Sequence, residues 1–133
     1  MSLSTQFNFN GNCKEALHFY SATFGGGEVF LLTWGASPMA AQAPAGWADK
    51  ILYGRVNIGD AELLGGDAAP GGYLKPQGMS LHYDAKTIAE AQRVFAALAE
   101  GGSVTLPLQE TFWSKAYGMV TDRFGVPWEL NCE

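Results

Sequence analysis

The chain has few charged residues, and above all few basic ones. Charged residues make up 16% of its 133 residues, and 8 Lys and Arg stand against 13 Asp and Glu, which gives a net charge of −5. The basic residues are scattered and form no cluster. Nucleic acids and anionic membrane surfaces are bound by a basic face that releases counterions. The sequence therefore predicts neither of them as a partner.

Long apolar runs are also missing. No stretch reaches the roughly 18 consecutive apolar residues that a membrane-spanning helix needs. The first residues, M-S-L-S-T-Q, lack the charged and apolar segments of a secretory signal. We therefore expect no membrane span and a cytoplasmic location. Cys13 and Cys132 form neither a CxxC nor a metal-ligand pattern, which predicts free thiols in a reducing compartment.

Signatures of common enzyme classes are absent as well. Gly25–Gly27 follows a predicted helix and precedes a predicted strand, which is the reverse of the dinucleotide-binding order. Gly65–Gly66 belongs to no nucleotide motif, and the chain has no GxxxxGK[ST] loop. No Ser-His-Asp or Cys-His arrangement has supporting context. Candidate functional residues must therefore be found through the predicted fold.

The sequence does contain 47% hydrophobic residues, arranged with strand and helix periods. Phe7 and Phe9 alternate with polar residues, as in a half-buried strand. Asn12 followed by Glu15 is a capping box that opens a helix. The apolar face of this helix is predicted to consist of Ala16, Phe19, Tyr20 and Phe24. The first half is predicted to hold strands at Ser4–Asn10, Glu28–Trp34, Ile51–Ile58 and Ala61–Gly66, with a long loop at Gly35–Lys50.

The second half repeats the first. An offset of 75 residues places Asn12 on Thr87 and Glu15 on Glu90, so a second capping box opens a second helix. The apolar face of the second helix is predicted to consist of Ala91, Val94, Phe95 and Leu98. The strands of this half are predicted at Met79–Asp84, Val104–Gln109, Trp113–Thr121 and Pro127–Cys132, with a turn at Asp122–Gly125.

Each half is therefore a βαβββ module, and the predicted fold is α+β, with the two modules forming a curved mixed sheet around a cleft. We predict a single domain over residues 1–133, with module one at about 4–67, a linker at 68–77 and module two at about 78–133. Apolar strand residues, including Trp128 and Leu130, should face the helices. The polar residues that alternate with them should point into the cleft, and they are Gln6, Asn8, Ser80, His82, Glu129 and Asn131.

Two motifs carry a family resemblance: F-N-G-N-x-x-E-A-x-x-F-Y near the start and E-T-F-W followed by V-T-D-x-F-G-V-P-W-x-L near the end. With the repeat, they resemble the PhnB-like branch of the vicinal oxygen chelate superfamily. That superfamily includes glyoxalases, extradiol dioxygenases and bleomycin- and fosfomycin-resistance proteins. The resemblance implies a paired βαβββ fold, usually assembled as a dimer. PhnB-like sequences are sometimes described as ubiquinone methyltransferases, but the chain has no glycine-rich methyl-donor loop, so we expect no such activity.

The resemblance also implies where a glyoxalase-type divalent metal would be held. The implied ligand positions fall on Glu129, on Gly78, and on Ser4 or Thr5, with Glu62 as the nearest acid for the fourth position. This set lacks the converging oxygen or imidazole ligands that a hard divalent ion needs. The alternative is a rebuilt site of Glu129 with His82 and Gln6, although a strand histidine is more often a hydrogen-bonded pocket residue. A divalent metal is therefore not favoured.

Two further alternatives concern how the candidate residues are used. Glu129 either lines a ligand site or is a carboxylate paired to Arg55 or Lys115. Aromatic residues of module two either clamp a planar ligand or pack in the core and at a dimer contact, and they are Phe112, Trp113, Tyr117 and Trp128. The candidate ligand-binding residues are the six polar residues above together with Tyr53, Arg55, Trp113 and Tyr117.

The leading hypothesis is a homodimeric protein that binds a small molecule in an apolar, aromatic-rimmed cleft. The high apolar content favours a dimer, because a partner subunit would cover the exposed apolar surface. A metal-dependent lyase, isomerase or dioxygenase acting on vicinal oxygens is the first alternative. An antibiotic-sequestering resistance protein is the second.

Overall fold

A computed structural model describes residues 1–133 as two helices and eight strands. Module one contains β1 (Thr5–Phe9), α1 (Cys13–Phe24), β2 (Val29–Thr33), β3 (Ile51–Ile58) and β4 (Ala61–Asp67). Module two contains β5 (Leu81–Asp84), α2 (Ile88–Ala99), β6 (Ser103–Gln109), β7 (Ala116–Thr121) and β8 (Pro127–Cys132). The chain divides into two compact units between Leu74 and Lys75. The predicted pair of βαβββ modules is confirmed.

Each module has its own four-stranded mixed sheet. The strand orders are β1-β4-β3-β2 in module one and β5-β8-β7-β6 in module two. In both sheets the first strand pairs in parallel with the last, and the other pairs are antiparallel. The internal repeat seen in the sequence is therefore a repeat of topology. The predicted cleft and the single-domain organisation stay predictions.

Helix α1 buries residues at the spacing of a single helical face. The buried positions are Cys13, Ala16, Leu17, Tyr20 and Thr23. Phe19 and Phe24 were predicted on this face but are only half-buried, because the face lies one position further round the helix. The helix approaches the sheet closely at Gly54, where a Cβ would lie 2.7 Å from Leu17 Cδ1.

The two helix starts differ. Asn12 makes no side-chain capping bond, so the first predicted capping box is wrong. Instead, Asp67 at the end of β4 accepts the Cys13 N–H at 2.9 Å and the Ile51 N–H at 2.8 Å. At α2, Thr87 does cap the helix by accepting the Glu90 N–H at 3.1 Å.

Glu90 does not complete the second capping box. Its carboxylate accepts the Lys86 N–H at 3.0 Å and the Tyr83 O–H at 2.7 Å rather than the N–H of Thr87. The carboxylate thereby connects the residue before the helix to strand β5. The second box is confirmed only in its Thr87 half.

Two predicted strands begin later than expected. Strand β5 begins at Leu81, where parallel pairing with Trp128 starts, so Ser80 precedes the strand. Strand β7 begins at Ala116, because Thr111 closes a turn before it. The Thr111 N–H donates to the Ser114 carbonyl at 2.9 Å, and the Thr111 hydroxyl accepts the Ser114 N–H at 3.1 Å.

The β7–β8 hairpin is held by a buried carboxylate. Asp122 is 3% exposed and accepts the backbone N–H groups of Phe124 at 2.9 Å and Val126 at 3.1 Å. Its second oxygen accepts the indole N–H of Trp128 at 2.9 Å. The predicted turn at Asp122–Gly125 is confirmed, and it fixes the position of β8 beside β7.

Candidate functional site

The face of the β5–β8–β7 sheet away from α2 carries four of the ten predicted site residues, which are His82, Tyr117, Glu129 and Asn131. In β8, Trp128 and Leu130 are buried in the core, so Glu129 between them lies on the opposite face. Strand register places His82 and Met119 beside Glu129. The predicted orientation of Glu129 is therefore supported by the alternation within β8.

Five side chains on this face form a continuous hydrogen-bonded chain, which we call the polar cluster: Asp84, His82, Tyr117, Glu129 and Asn131. The Tyr117 hydroxyl donates to Glu129 Oε2 at 2.5 Å, and His82 Nδ1 contacts Glu129 Oε1. On its other side, His82 Nε2 lies 2.8 Å from Asp84 Oδ1. Asn131 Nδ2 donates to the same Asp84 oxygen at 2.9 Å.

The pKa shifts in the cluster all follow from these bonds. Hydrogen bonding to Glu129, followed by that to Asp84, raises the pKa of His82, although partial burial opposes the shift. The Tyr117 and His82 bonds lower the pKa of Glu129. The Asn131 and His82 bonds lower the pKa of Asp84. The shifts favour an imidazolium held between two carboxylates.

This arrangement limits what His82 can do. Both of its ring nitrogens face carboxylate oxygens, so as an imidazolium it has no lone pair to offer a metal or a proton. Glu129 also uses both of its oxygens within the cluster. Glu129 is therefore paired with His82 and Tyr117, so the alternative of a pair with Lys115 is wrong, whereas the alternative of a pair with Arg55 stays a prediction.

Module two also has an apolar cavity of about 480 Å³, which none of the five cluster side chains lines. Met119, which is directly opposite Glu129 in the β7–β8 register, lines it and connects it to the cluster. Ser80, a predicted site residue, lines the same cavity. Ligand pockets in proteins are about 300–1,000 Å³ and mostly apolar, with a few polar groups that orient the ligand. The cavity has this size and apolar character.

Exposed aromatic rings border the cluster on the other side. The Trp113 ring centroid lies 5.3 Å from that of Tyr117 and 4.6 Å from that of Phe112. Trp113 is 51% exposed and Phe112 is 97% exposed, so the core-packing alternative is wrong for both. Trp128 is buried and does not belong to this surface. Of the four predicted clamp residues, three therefore remain available to a ligand.

The predicted site residues of module one lie on strands β1 and β3. Gln6 and Asn8 are exposed on β1. The Tyr53 ring lies 6.1 Å from that of Phe30, and the Arg55 guanidinium lies 5.1 Å from the same Phe30 ring. Their part in ligand binding stays a prediction.

Module one has no equivalent of the polar cluster. The β1–β4 register places Asn8, the counterpart of His82, beside Gly66. Gly66 therefore stands in module one at the position that Glu129 occupies in module two. Because Gly66 has no side chain, module one has no carboxylate there. The repeat has thus kept the topology in both modules while the cluster is confined to one.

Sequence reasoning missed Asp84 as a site residue. Asp84 follows His82 by two residues and therefore lies on the same face of β5. That spacing was available in the sequence and would have been sufficient to include it. Met119 carried no such signal, because only the strand register brings it beside Glu129.

The glyoxalase-type metal positions do not fit a divalent ion. Gly78 has no side chain and takes a positive φ of 75°. Ser4 donates its hydroxyl to Glu62 Oε1 at 3.2 Å, so these two residues satisfy each other. No group of three or more His, Cys, Asp or Glu side chains in residues 1–133 is arranged to hold a metal ion. We therefore derive no chemistry through a metal at these positions.

Comparison with known proteins identifies relatives over the whole chain. A family model described as 3-demethylubiquinone-9 3-methyltransferase matches residues 1–131. Protein YjdN of Escherichia coli K12 is 34% identical over 98% of this chain and 95% of its own length. The crystal structure of PA1353 from Pseudomonas aeruginosa is 43% identical, covers 100% of this chain and 98% of its own, and superimposes with a TM-score of 0.88.

More distant structures share the fold. A PhnB protein from Bacillus cereus is 22% identical, covers 100% of both chains and has a TM-score of 0.78. The fosfomycin-resistance protein FosX from Mesorhizobium loti is 11% identical over 98% of this chain and 90% of its own, with a TM-score of 0.63. The fold that the resemblance to the PhnB-like branch of the vicinal oxygen chelate superfamily implied is confirmed. Neither helix of the chain is long and apolar enough to cross a membrane.

Proposed function

The chain belongs to the family described as 3-demethylubiquinone-9 3-methyltransferase, and we propose that it binds a small organic molecule on the face of the module-two sheet away from α2. The observation that carries this proposal is the polar cluster, which contacts the exposed Trp113 ring through Tyr117 and neighbours an apolar cavity through Met119. Hydrogen-bonding groups in such a setting orient a ligand while apolar groups supply affinity. We propose that the working protein is a cytoplasmic homodimer.

We do not carry methyl transfer over from the family description. Gly25–Gly27, the longest glycine run, lies between α1 and β2, where it ends a helix. A nucleotide-type cofactor is usually held by a glycine-rich loop that ends a strand and opens a helix. Family membership alone does not assign a reaction.

Binding is favoured over proton-transfer catalysis for a reason internal to the cluster. A general base needs a lone pair directed at the proton it removes. His82 and Glu129 each direct their polar atoms at another member of the cluster. Asp84 keeps exposed lone pairs, but its bonds to Asn131 and His82 lower its pKa and make it a weak base. The cluster is therefore better arranged to present fixed charges to a ligand than to remove a proton.

The test is a thermal-shift screen of small molecules followed by amide NMR mapping of each hit. A ligand at one hundred times its Kd stabilises the folded state by about 2.7 kcal/mol, which a melting curve detects. We expect the shifted amides to surround His82, Met119 and Glu129. Hits that shift only amides of module one would contradict the proposed site.

A matched pair of variants sharpens the test. Glu129→Gln keeps the size of the side chain and removes its charge, so we expect weaker binding of the mapped hits. Glu100→Gln makes the same change at an exposed position at the end of α2 and should leave binding unchanged. Equal affinity in both variants would mean that Glu129 has no part in the site.

Elemental analysis separates this proposal from metal-dependent catalysis. Protein purified without a metal-affinity step should contain no stoichiometric divalent metal, and divalent ions should not raise its melting temperature. A stoichiometric metal that is lost in Glu129→Gln would support the competing function, because a rebuilt site would need that carboxylate.

A further inference from the structure

We propose that the ligand of this site carries an ammonium group with N–H bonds, received by Asp84 and Asn131 beside the Trp113 and Tyr117 rings. This inference rests on the proposed binding function and adds the chemical class of the ligand. It depends on which polar atoms of the cluster are already used and which are left open.

Most donors of the cluster are committed. His82 directs one nitrogen at Glu129 and the other at Asp84. The Tyr117 hydroxyl donates to Glu129, and the Asn131 amide donates one of its two N–H groups to Asp84. Most of the open capacity lies on acceptors, since the Asp84 side chain is 68% exposed and a carboxylate has about four lone-pair sites. The cluster therefore favours a ligand that brings donors.

Asn131 provides an independent indication. It is 5% exposed, and its Oδ1 atom has no hydrogen-bond partner. The amide cannot simply be reversed, because that would turn Oδ1 toward the Asp84 carboxylate that Nδ2 now contacts. A buried acceptor without a partner costs about 1–3 kcal/mol. A ligand N–H that reaches Oδ1 would remove this cost.

The burial of Oδ1 also limits the shape of the donor. Oδ1 lies below the surface, so the group that reaches it must enter the cluster. A primary ammonium is small and has three N–H bonds, one for Oδ1 and others for Asp84. A trimethylammonium group has none and is bulkier, so it can use only the charge of Asp84 and the aromatic surface.

Charge and aromatic surface favour the same class of ligand. The cluster holds two carboxylates and one imidazole, which can neutralise one carboxylate at most, so an anionic ligand would meet a surplus of negative charge. Trp113 is 51% exposed and contacts Tyr117, whose hydroxyl reaches Glu129. Cations are attracted to the faces of Trp and Tyr rings within about 6 Å. An aromatic or apolar primary amine therefore satisfies each feature.

Three matched probes test the inference by titration calorimetry: tryptamine, N,N,N-trimethyltryptammonium and indole-3-propionate. They share an indole ring and differ in the charged group. We expect tryptamine to bind at least about tenfold more tightly than either analogue, which corresponds to about 1.4 kcal/mol. Binding of indole-3-propionate as tight as that of tryptamine, or binding of no probe, would overturn the inference.

Two substitutions locate the effect. Asp84→Asn removes one charge from an exposed side chain and should weaken tryptamine binding at least about tenfold. Asp60→Asn makes the same change in the exposed β3–β4 turn and should leave binding unchanged. If Asp84→Asn has no more effect than Asp60→Asn, Asp84 does not receive the ammonium and the inference is wrong.

The outcomes also separate this inference from the proposed function. If all three probes bind equally and shift amides around Glu129, small-molecule binding stands and the preference for an ammonium is wrong. If tryptamine binds but shifts only amides away from the polar cluster, both the ammonium assignment and the proposed site are wrong.

Discussion

Glu129 contacts a different group with each of its two carboxylate oxygens, an imidazole and a phenol. The two groups come from different strands, since His82 is on β5 and Tyr117 is on β7. The bonds keep Glu129 ionised and oriented. The carboxylate of Glu129 on this half-buried strand is therefore satisfied by hydrogen bonds. The exposed acceptor atoms of the site belong to Asp84.

At the scale of single residues, the first prediction concerns the pKa of His82. The bond to Glu129 is the largest cause of its raised pKa, so Glu129→Gln should lower that pKa. An NMR titration of the imidazole C–H signals measures the change. Glu100→Gln serves as the control for removal of one negative charge and should leave the midpoint of the His82 titration unchanged.

The second prediction concerns the pH dependence of stability. His82 has a raised pKa, so its contribution is complete below its ordinary pKa of 6.5 and is lost as pH rises through the folded-state value. Glu129 has a lowered pKa, so its contribution is complete above 4.5 and is lost as pH falls through the folded-state value.

The two contributions are therefore complete together between pH 4.5 and 6.5. The stability difference between the natural protein and His82→Gln, measured by urea unfolding, should be largest in this window. Its amplitude should be small and should fall with added salt, because His82 is 45% exposed. A difference that does not vary with pH would contradict the paired arrangement.

At the scale of elements, the helix starts give the third prediction. Thr87→Ala removes the bond to the Glu90 N–H and should lower the free energy of unfolding by about 1 kcal/mol. Asn12→Ala should cost less, because the Asn12 side chain makes no capping bond. Urea unfolding of both variants measures the difference. A larger loss in Asn12→Ala would mean that Asn12 caps α1 in solution.

The β7–β8 hairpin gives the fourth prediction. Asp122→Ala leaves the donors of Phe124, Val126 and Trp128 without their carboxylate. Since each buried donor without a partner costs about 1–3 kcal/mol, we expect a loss of about 3 kcal/mol or more. Asp60→Ala in the exposed β3–β4 turn is the control and should cost little. Similar losses in the two variants would contradict a structural role for Asp122.

At the scale of the whole molecule, the fifth prediction concerns cooperativity. Each module covers one face of its sheet with a single helix, and an isolated unit of that size is marginally stable. We therefore expect one cooperative unfolding unit, as predicted for a single domain. Leu98→Ala in α2 should cost about 2–5 kcal/mol and should speed hydrogen exchange in β3 and β4 as well as in β7 and β8.

Leu17→Ala in α1 provides the reciprocal test of cooperativity. Leu17 and Leu98 are both fully buried, so the two variants remove equivalent core contacts. Faster exchange confined to the module that carries the substitution would mean that the modules are separate folding units.

Most of the fold could be predicted because strand and helix periods are local properties of the backbone. Ile51–Ile58 and Pro127–Cys132 have the predicted bounds. One error came from a distant contact: Asp67 is 54 residues from the Cys13 N–H that it accepts, and no local pattern indicates this. The other was local. Trp113 was placed in a strand because its neighbours alternate, but the Thr111 hydroxyl accepts the Ser114 N–H and forms a turn there that competes with the strand.

The site also combines features that follow from local periodicity with features that depend on contacts distant in sequence. Alternation along β8 is enough to predict that Glu129 lies opposite Trp128 and Leu130, because successive strand residues point to opposite faces. Which side chains meet Glu129 depends on strand pairing, and His82 is 47 residues away along the chain. A shift of one residue in that register would place Leu81 or Tyr83 beside Glu129 instead. The face of the sheet on which each residue lies could therefore be predicted from the sequence. The polar cluster, in contrast, exists only because the folded sheet aligns β5, β7 and β8.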